Sequence, residues 1–148
     1  MSSGLYFEQF TIGLTATSPA RTITEADVMT FAGLSGDYNE IHTNAEYAKA
    51  SDYGQRIAHG LLVQAIASGL ALRTGVLEGT VVAFREMRCK FSAPVFIGDT
   101  VRVTLEVVEK KEMRRLNVGN VLVQFRVIKQ DDTIVQRGDW RFLVKLHP

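Results

Sequence analysis

Gly60-Leu61-Leu62-Val63-Gln64-Ala65-Ile66-Ala67-Ser68-Gly69-Leu70-Ala71-Leu72 is the run that decides the fold. Every residue in it except Gln64 and Ser68 is apolar or glycine. A helix here is apolar on nearly all sides and is expected to be buried on nearly all sides. Arg73-Thr74-Gly75 stops it, and no helical period follows. The run is much shorter than the roughly 20 apolar residues a membrane span needs, so no membrane association is expected.

Downstream, the period changes to that of strands. Val81, Ala83, Met87, Cys89 and Phe91 alternate with Val82, Phe84, Glu86, Arg88 and Lys90, a pattern spoiled only by Arg85 on the apolar side. Pro94 to Gly98 is a break. Val101, Val103, Leu105 and Val107 then alternate with Arg102, Thr104 and Glu106, as a half-buried strand does. Val121, Val123, Phe125 and Val127 repeat this, and Asp131-Asp132 turns the chain into residues 134 to 144. Four long strands joined by short connections are most simply an antiparallel sheet. The expected architecture is α+β, an antiparallel sheet wrapped around a long apolar central helix, in a single domain covering residues 1–148.

Upstream of the apolar run, residues 6 to 15 read as a first extended stretch. Thr24 is an N-cap, with Glu25 and Asp27 in the first turn where the helix dipole favours negative charge. Val28, Met29, Phe31, Ala32 and Leu34 give that helix an apolar stripe, ended by Gly33, Ser35 and Gly36. Asn44 starts a second short helix, broken at Ser51-Asp52-Tyr53-Gly54. Tyr47 and Tyr53 are placed where a short helical lid narrows a pocket.

Composition narrows the function classes. Hydrophobic residues are 46% and charged residues 22%, as in ordinary globular proteins. A formal charge of +1 lacks the basic excess of a dedicated nucleic-acid binder. The one cysteine, Cys89, rules out an intrachain disulfide and suits a reducing compartment. Residues 1–10 show no basic segment followed by an apolar one, so a cytoplasmic protein is expected. Three histidines and one cysteine, with no pair at ligand spacing, point away from a metal site.

Between the two helical stretches lies Ser35-Gly36-Asp37-Tyr38-Asn39-Glu40-Ile41-His42, too polar and irregular for a core segment. Asp37 and His42 are close enough in sequence for a loop that doubles back to set both on one water molecule. Which accepts the proton stays open, because histidine titrates near neutrality and a buried carboxylate is raised toward it. Asn39 offers a donor and an acceptor to brace the loop or the water. Gly60 begins the apolar helix, where N–H groups lack intrahelical partners and glycine allows close approach, as an oxyanion site requires.

These residues resemble the MaoC-like, R-specific enoyl-CoA hydratases of the hot-dog fold. The likeness lies in residues 35 to 42, in Ala45 to Ala48, in Gly54 and Ile57-Ala58-His59-Gly60-Leu61, and in Phe91-Ser92-Ala93-Pro94-Val95 and Ile97-Gly98-Asp99-Thr100. The resemblance implies hydration of a trans-2-enoyl thioester, or dehydration of an (R)-3-hydroxyacyl thioester, on CoA or acyl carrier protein. It implies no metal and no redox cofactor. It further implies catalytic roles for Asp37, His42 and Asn39, and an oxyanion and substrate-binding role for Gly60 with Leu61, Ala58 and His59. By its residue type and place, His59 reads as buried and hydrogen-bonded to backbone. Glu40 departs from the family, which usually has proline there; it is expected to loosen the loop and add a carboxylate near the site. A thioesterase or a non-catalytic acyl-binding protein on the same scaffold are the competing functions. A homodimer or a multiple of it is expected, since so short a domain leaves an exposed sheet edge.

Overall fold

A computed structural model describes residues 4–148. The chain folds into an antiparallel sheet with helices. Strands β1 (Thr15–Thr17) and β2 (Arg21–Thr22) precede helices α1 (Glu25–Ser35), α2 (Glu40–Thr43), α3 (Ala45–Lys49) and α4 (Gly60–Leu72). Then come β3 (Val81–Phe91), β4 (Thr100–Met113), β5 (Val118–Lys129) and β6 (Ile134–Lys145). The sheet order is β1-β4-β5-β6-β3, with β2 beside β1 on the same edge of β4. The three last strands form a meander, and β3 closes the far edge by pairing with β6 rather than with its successor β4. No helix among the described residues is long and apolar enough to cross a membrane.

The core is the inner face of the sheet. Val101, Val103, Leu105 and Val107 of β4 alternate inward with Val121, Val123, Phe125 and Val127 of β5, as their period of two requires. Trp140 of β6 is fully buried and stacks on Phe125 at 4.3 Å between ring centroids. Burying each such side chain contributes about 1.5–3 kcal/mol. Helix α4 packs on β4 and adds Leu62, Val63, Ala67, Leu70 and Ala71 to this core.

Four sequence expectations change. Residues 6 to 15 are not one extended stretch: residues 7–9 form a tight 3-10 turn, which seats Phe7 and Phe10 in the core. Helix α1 runs past Gly33 to Ser35 and stops at Gly36, whose φ of 77° is the left-handed geometry glycine adopts without strain. Of its predicted stripe only Val28 and Ala32 are buried, while Leu34 is 83% exposed. Helix α4 is not covered on nearly all sides either, because Leu61, Ala65, Ser68, Gly69 and Leu72 form an exposed stripe.

The fourth change explains the misplaced Arg85. The β3–β6 register slips between Val81 and Ala83 and again between Phe84 and Glu86, so Arg85 is the extra residue of a bulge and the parity flips there. Phe84, not Ala83, therefore shares the inner face with Met87 and Phe91, packing edge-on against Phe142 and Trp140.

The turn before β4 is tied down by a buried pair. Asp99 accepts from the Phe96 N–H at 2.8 Å, Gln130 Nε2 at 2.8 Å and Lys129 Nζ at 3.1 Å. Burial pulls its carboxyl upward, but the Gln130, Phe96 and Lys129 hydrogen bonds and the Lys129 charge together hold it below the ordinary 3.8. A carboxyl depressed by folding stabilises fully above its unfolded value, and the gain is lost as pH falls through the folded one. Asp99→Asn is expected to destabilise by about 3 kcal/mol at pH 7, since it strands a buried Lys129 charge. The measurement is urea unfolding at pH 7 and pH 3, where the gap between native and variant should shrink at pH 3.

Candidate active site

Short local signals build the site. Asn39 caps α2, its side-chain oxygen accepting from the Ile41 N–H at 3.2 Å, and so fixes the single helical turn that carries His42. Asp37 precedes it in a loop: its backbone N–H donates to Ser35 Oγ at 3.1 Å and its carboxylate accepts from the Asn39 N–H at 3.2 Å. Asn39 thus braces the loop through its oxygen. The four-residue α2 carries too little period to be foreseen in the sequence. Glu40 takes the first helical position of α2, a position that also suits proline. Its carboxylate accepts from Asn44 Nδ2 at 2.9 Å, and neither it nor the Asp37 carboxylate is among the groups that line the cavity described below.

The two motifs lock together through their histidines. His42 Nδ1 lies 2.8 Å from the Ile57 carbonyl oxygen. A carbonyl only accepts, so Nδ1 carries the proton and Nε2 keeps a free lone pair. His59 Nε2 likewise donates to the backbone carbonyl of Asp37 at 2.9 Å, tying the Asp37 loop to the residue that precedes α4. The two imidazoles stack at 3.9 Å, and Phe31 of α1 flanks His59 at 5.0 Å. His42 and His59 are buried, at 9% and 2% exposure, and Asp37 is exposed. Polar atoms of Asp37, His42 and His59 come within 4.8 Å of one another. Three such groups are also the makings of a metal site. Sequence spacing does not foretell the grouping, and His59 Nδ1 within it is buried with no hydrogen-bond partner among the described residues.

Burial is the largest influence on His42 and lowers its pKa; His59 adds to that, while the Ile57 carbonyl and Asp37 pull upward. The balance falls below the ordinary 6.5, so the imidazole is neutral at pH 7.

His42 opens on a cavity of about 330 Å³ lined also by Tyr53, Ala58, Gly60, Val63, Phe91 and Gln136. Ala58 is held there by its N–H donating to the Val95 carbonyl at 2.7 Å. Gly60 begins α4, and α4 differs from α1, α2 and α3 in having no side chain that caps its N-terminus. Its first-turn N–H groups are left as donors, beside a glycine with no Cβ in the way. The Leu61 side chain points away and is 60% exposed, so Leu61 contributes only backbone here. Of the two tyrosines placed at a lid, Tyr53 reaches the cavity and Tyr47 does not. Gln136 and Phe91 come from paired positions on β6 and β3, a long-range contact that no local motif announced.

Fold and site together define an α+β protein of the hot-dog class. Residues 10–128 match the family model described as MaoC like domain, and the chain belongs to that family. An (R)-specific enoyl-CoA hydratase of Rhodospirillum rubrum is 43% identical over 102 residues, covering 69% of this chain and 69% of the relative. A solved monoamine oxidase regulatory protein of Archaeoglobus fulgidus superposes with a TM-score of 0.90 at 35% identity, covering 99% of this chain and 97% of that one. An unliganded (R)-hydratase of Pseudomonas aeruginosa superposes with a TM-score of 0.83 at 31% identity, covering 97% and 88%.

Proposed function

We propose that this chain is a hydro-lyase that interconverts trans-2-enoyl and (R)-3-hydroxyacyl thioesters carried on CoA or an acyl carrier protein. One observation carries the proposal: a neutral His42 with a free Nε2 stands within 4.8 Å of a carboxylate, on a cavity shared with an uncapped helix start. Hydration needs a base for water, an acid for C2 and donors for the charge that builds on the thioester oxygen. His42 Nε2 takes the water's proton while Asp37 orients the water. The oxygen then bonds to C3, and the thioester oxygen takes up negative charge against the N–H groups of Gly60 and Leu61. The imidazolium returns its proton to C2 as the enolate collapses. No electrons are transferred overall, so the steps call on no redox cofactor. Asn39 and His59 act by holding the Asp37 and His42 backbones.

The test is the loss of the conjugated enoyl absorbance when short, medium and branched enoyl-CoA esters are added. Free CoA without hydration is the thioesterase outcome, and neither product is the outcome for a non-catalytic or regulatory protein. Either result overturns the proposal.

We further propose that the chain, as one domain, works in the cytoplasm as a homodimer or a multiple of it. Among the described residues strand β3 pairs on one side only, and Phe84, Met87 and Phe91 on its inner face are 46%, 45% and 54% exposed. Phe84 shares a cleft with Ser68 and Leu72 of the exposed stripe of α4, and Leu72 is 49% exposed. An apolar patch of this kind beside an open strand edge marks an interface. Light scattering at micromolar concentration is expected to give twice the 16.4 kDa chain mass or a multiple. Phe84→Asp is expected to shift that mass toward the monomer.

A further inference from the structure

Gln136 is 2% exposed in β6, where an amide side chain must satisfy its polar atoms within the protein. Its Nε2 donates to the backbone carbonyl of Gly60 at 2.8 Å. Its Oε1 faces the Cys89 thiol at 3.9 Å, and burial pushes that thiol up, so it keeps its proton. The orientation of the amide follows: flipped, Oε1 would stand against the Gly60 carbonyl oxygen, acceptor against acceptor. The same side chain lines the catalytic cavity beside Phe91, its cross-strand partner.

The Gly60 carbonyl belongs to the planar peptide unit that carries the Leu61 N–H, and in a trans peptide the two groups point in opposite directions. That N–H lies in the first turn of α4, where no side chain caps it. A bond accepted at the carbonyl end holds the plane against tilting. It also strengthens the N–H at the other end, because linked hydrogen bonds polarise one another.

We infer that Gln136 is a positioning residue for the reaction, fixing the Gly60–Leu61 peptide so that the Leu61 N–H, beside that of Gly60, meets the charge developing on the thioester oxygen. This rests on the reading of the first turn of α4 as the oxyanion site. A role in folding alone would lower stability and leave the kcat of the folded fraction unchanged. A positioning role lowers kcat in protein that is fully folded.

The experiment compares native protein, Gln136→Met and Gln136→Glu with crotonyl-CoA, measuring kcat and KM from pH 5 to 9 beside thermal unfolding. Gln136→Met keeps the length of the side chain and loses the donor. Its kcat should fall about tenfold, less than the 10²–10³ of losing an oxyanion donor outright, with KM changed less than about threefold. In Gln136→Glu the buried carboxyl titrates upward and donates to Gly60 only while protonated. Its kcat should approach native at low pH and fall as pH rises. The native protein's own limb, set by His42 across the cavity, runs the other way, and the neighbouring Cys89 stays protonated below its raised value. A Gln136→Met kcat within twofold of native overturns the inference, as does a Gln136→Glu profile that parallels native. The Glu variant decides alone if the Met variant does not fold. If the native protein does not hydrate at all, the site reading and this inference fall together; native hydration with unchanged variants overturns this inference alone.

Discussion

His42→Ala is expected to lower kcat for enoyl-CoA hydration by about 10²–10⁴-fold, the usual contribution of a positioned acid–base group. The size follows from the absence of a substitute. Nδ1 of His42 is committed to the Ile57 carbonyl, so Nε2 is the ring nitrogen left free in a residue that lines the cavity. His59 does not substitute for it, because it does not line the cavity and its unpartnered Nδ1 is buried. Asp37→Asn keeps the shape and the backbone contacts of the loop but loses the charge that orients water and stabilises the imidazolium. Its kcat should fall by at least about 10²-fold. The pH profile carries a sign as well. Only neutral His42 accepts a proton, and burial, aided by His59, lowers its pKa below 6.5. The acid limb of kcat/KM must therefore lie below pH 6.5, and no loss from this group is expected between pH 7 and 8. Steady-state rates on both variants check this. If both stayed within about tenfold of native, roughly 1.4 kcal/mol of barrier, the proposed water activation would fail.

The elements that were legible in the sequence are those whose determinants lie within a few residues. Thr24 and Asp27 satisfy each other's backbone N–H groups at the start of α1, and Gly60 marks the start of α4, because a cap or its absence is a local choice. The meander of β4 to β6 was legible because each strand keeps one buried face. What escaped is non-local. Arg85 broke the alternation of β3 in plain view, but only the pairing with β6 shows that it is a bulge and that Phe84 turns inward. Gln136 reads as an ordinary polar residue of a strand until β6 is laid across the start of α4. The exposed stripe of α4 is apolar like the rest of the helix, so hydropathy could not say which side stays uncovered. In the site, the spacing of Asp37 and His42 suggested a shared water. It could not reveal that His59 would lock the loop by accepting the stacking of one ring and donating to the backbone of the other motif.

Gly60→Ala is expected to lower kcat/KM by at least about 10²-fold, as great a loss as removing an oxyanion donor, while the protein stays folded. A Cβ at this position would stand 2.6 Å and 2.8 Å from Cε1 and Cδ1 of Phe91. Those atoms belong to the ring at the far end of a side chain and not to backbone, so the ring turns aside and the backbone stays in place. Alanine also favours the helix over glycine by about 0.5–1 kcal/mol. The unfolding temperature should then move by no more than about 8 °C in either direction. Two effects remain to explain the lost activity: the displaced ring narrows the cavity, or the new methyl keeps the thioester oxygen off the first-turn N–H groups. The pair Gly60→Ala and Phe91→Ala separates them, because residues in contact do not add. If the ring is at fault, removing it restores the activity of the alanine variant to that of Phe91→Ala alone. If the methyl is at fault, the double variant stays at least about 10²-fold below Phe91→Ala. The second outcome is expected, since a Cβ built toward Phe91 projects into the cavity that both residues line, where the proposed thioester sits whether or not the ring is present.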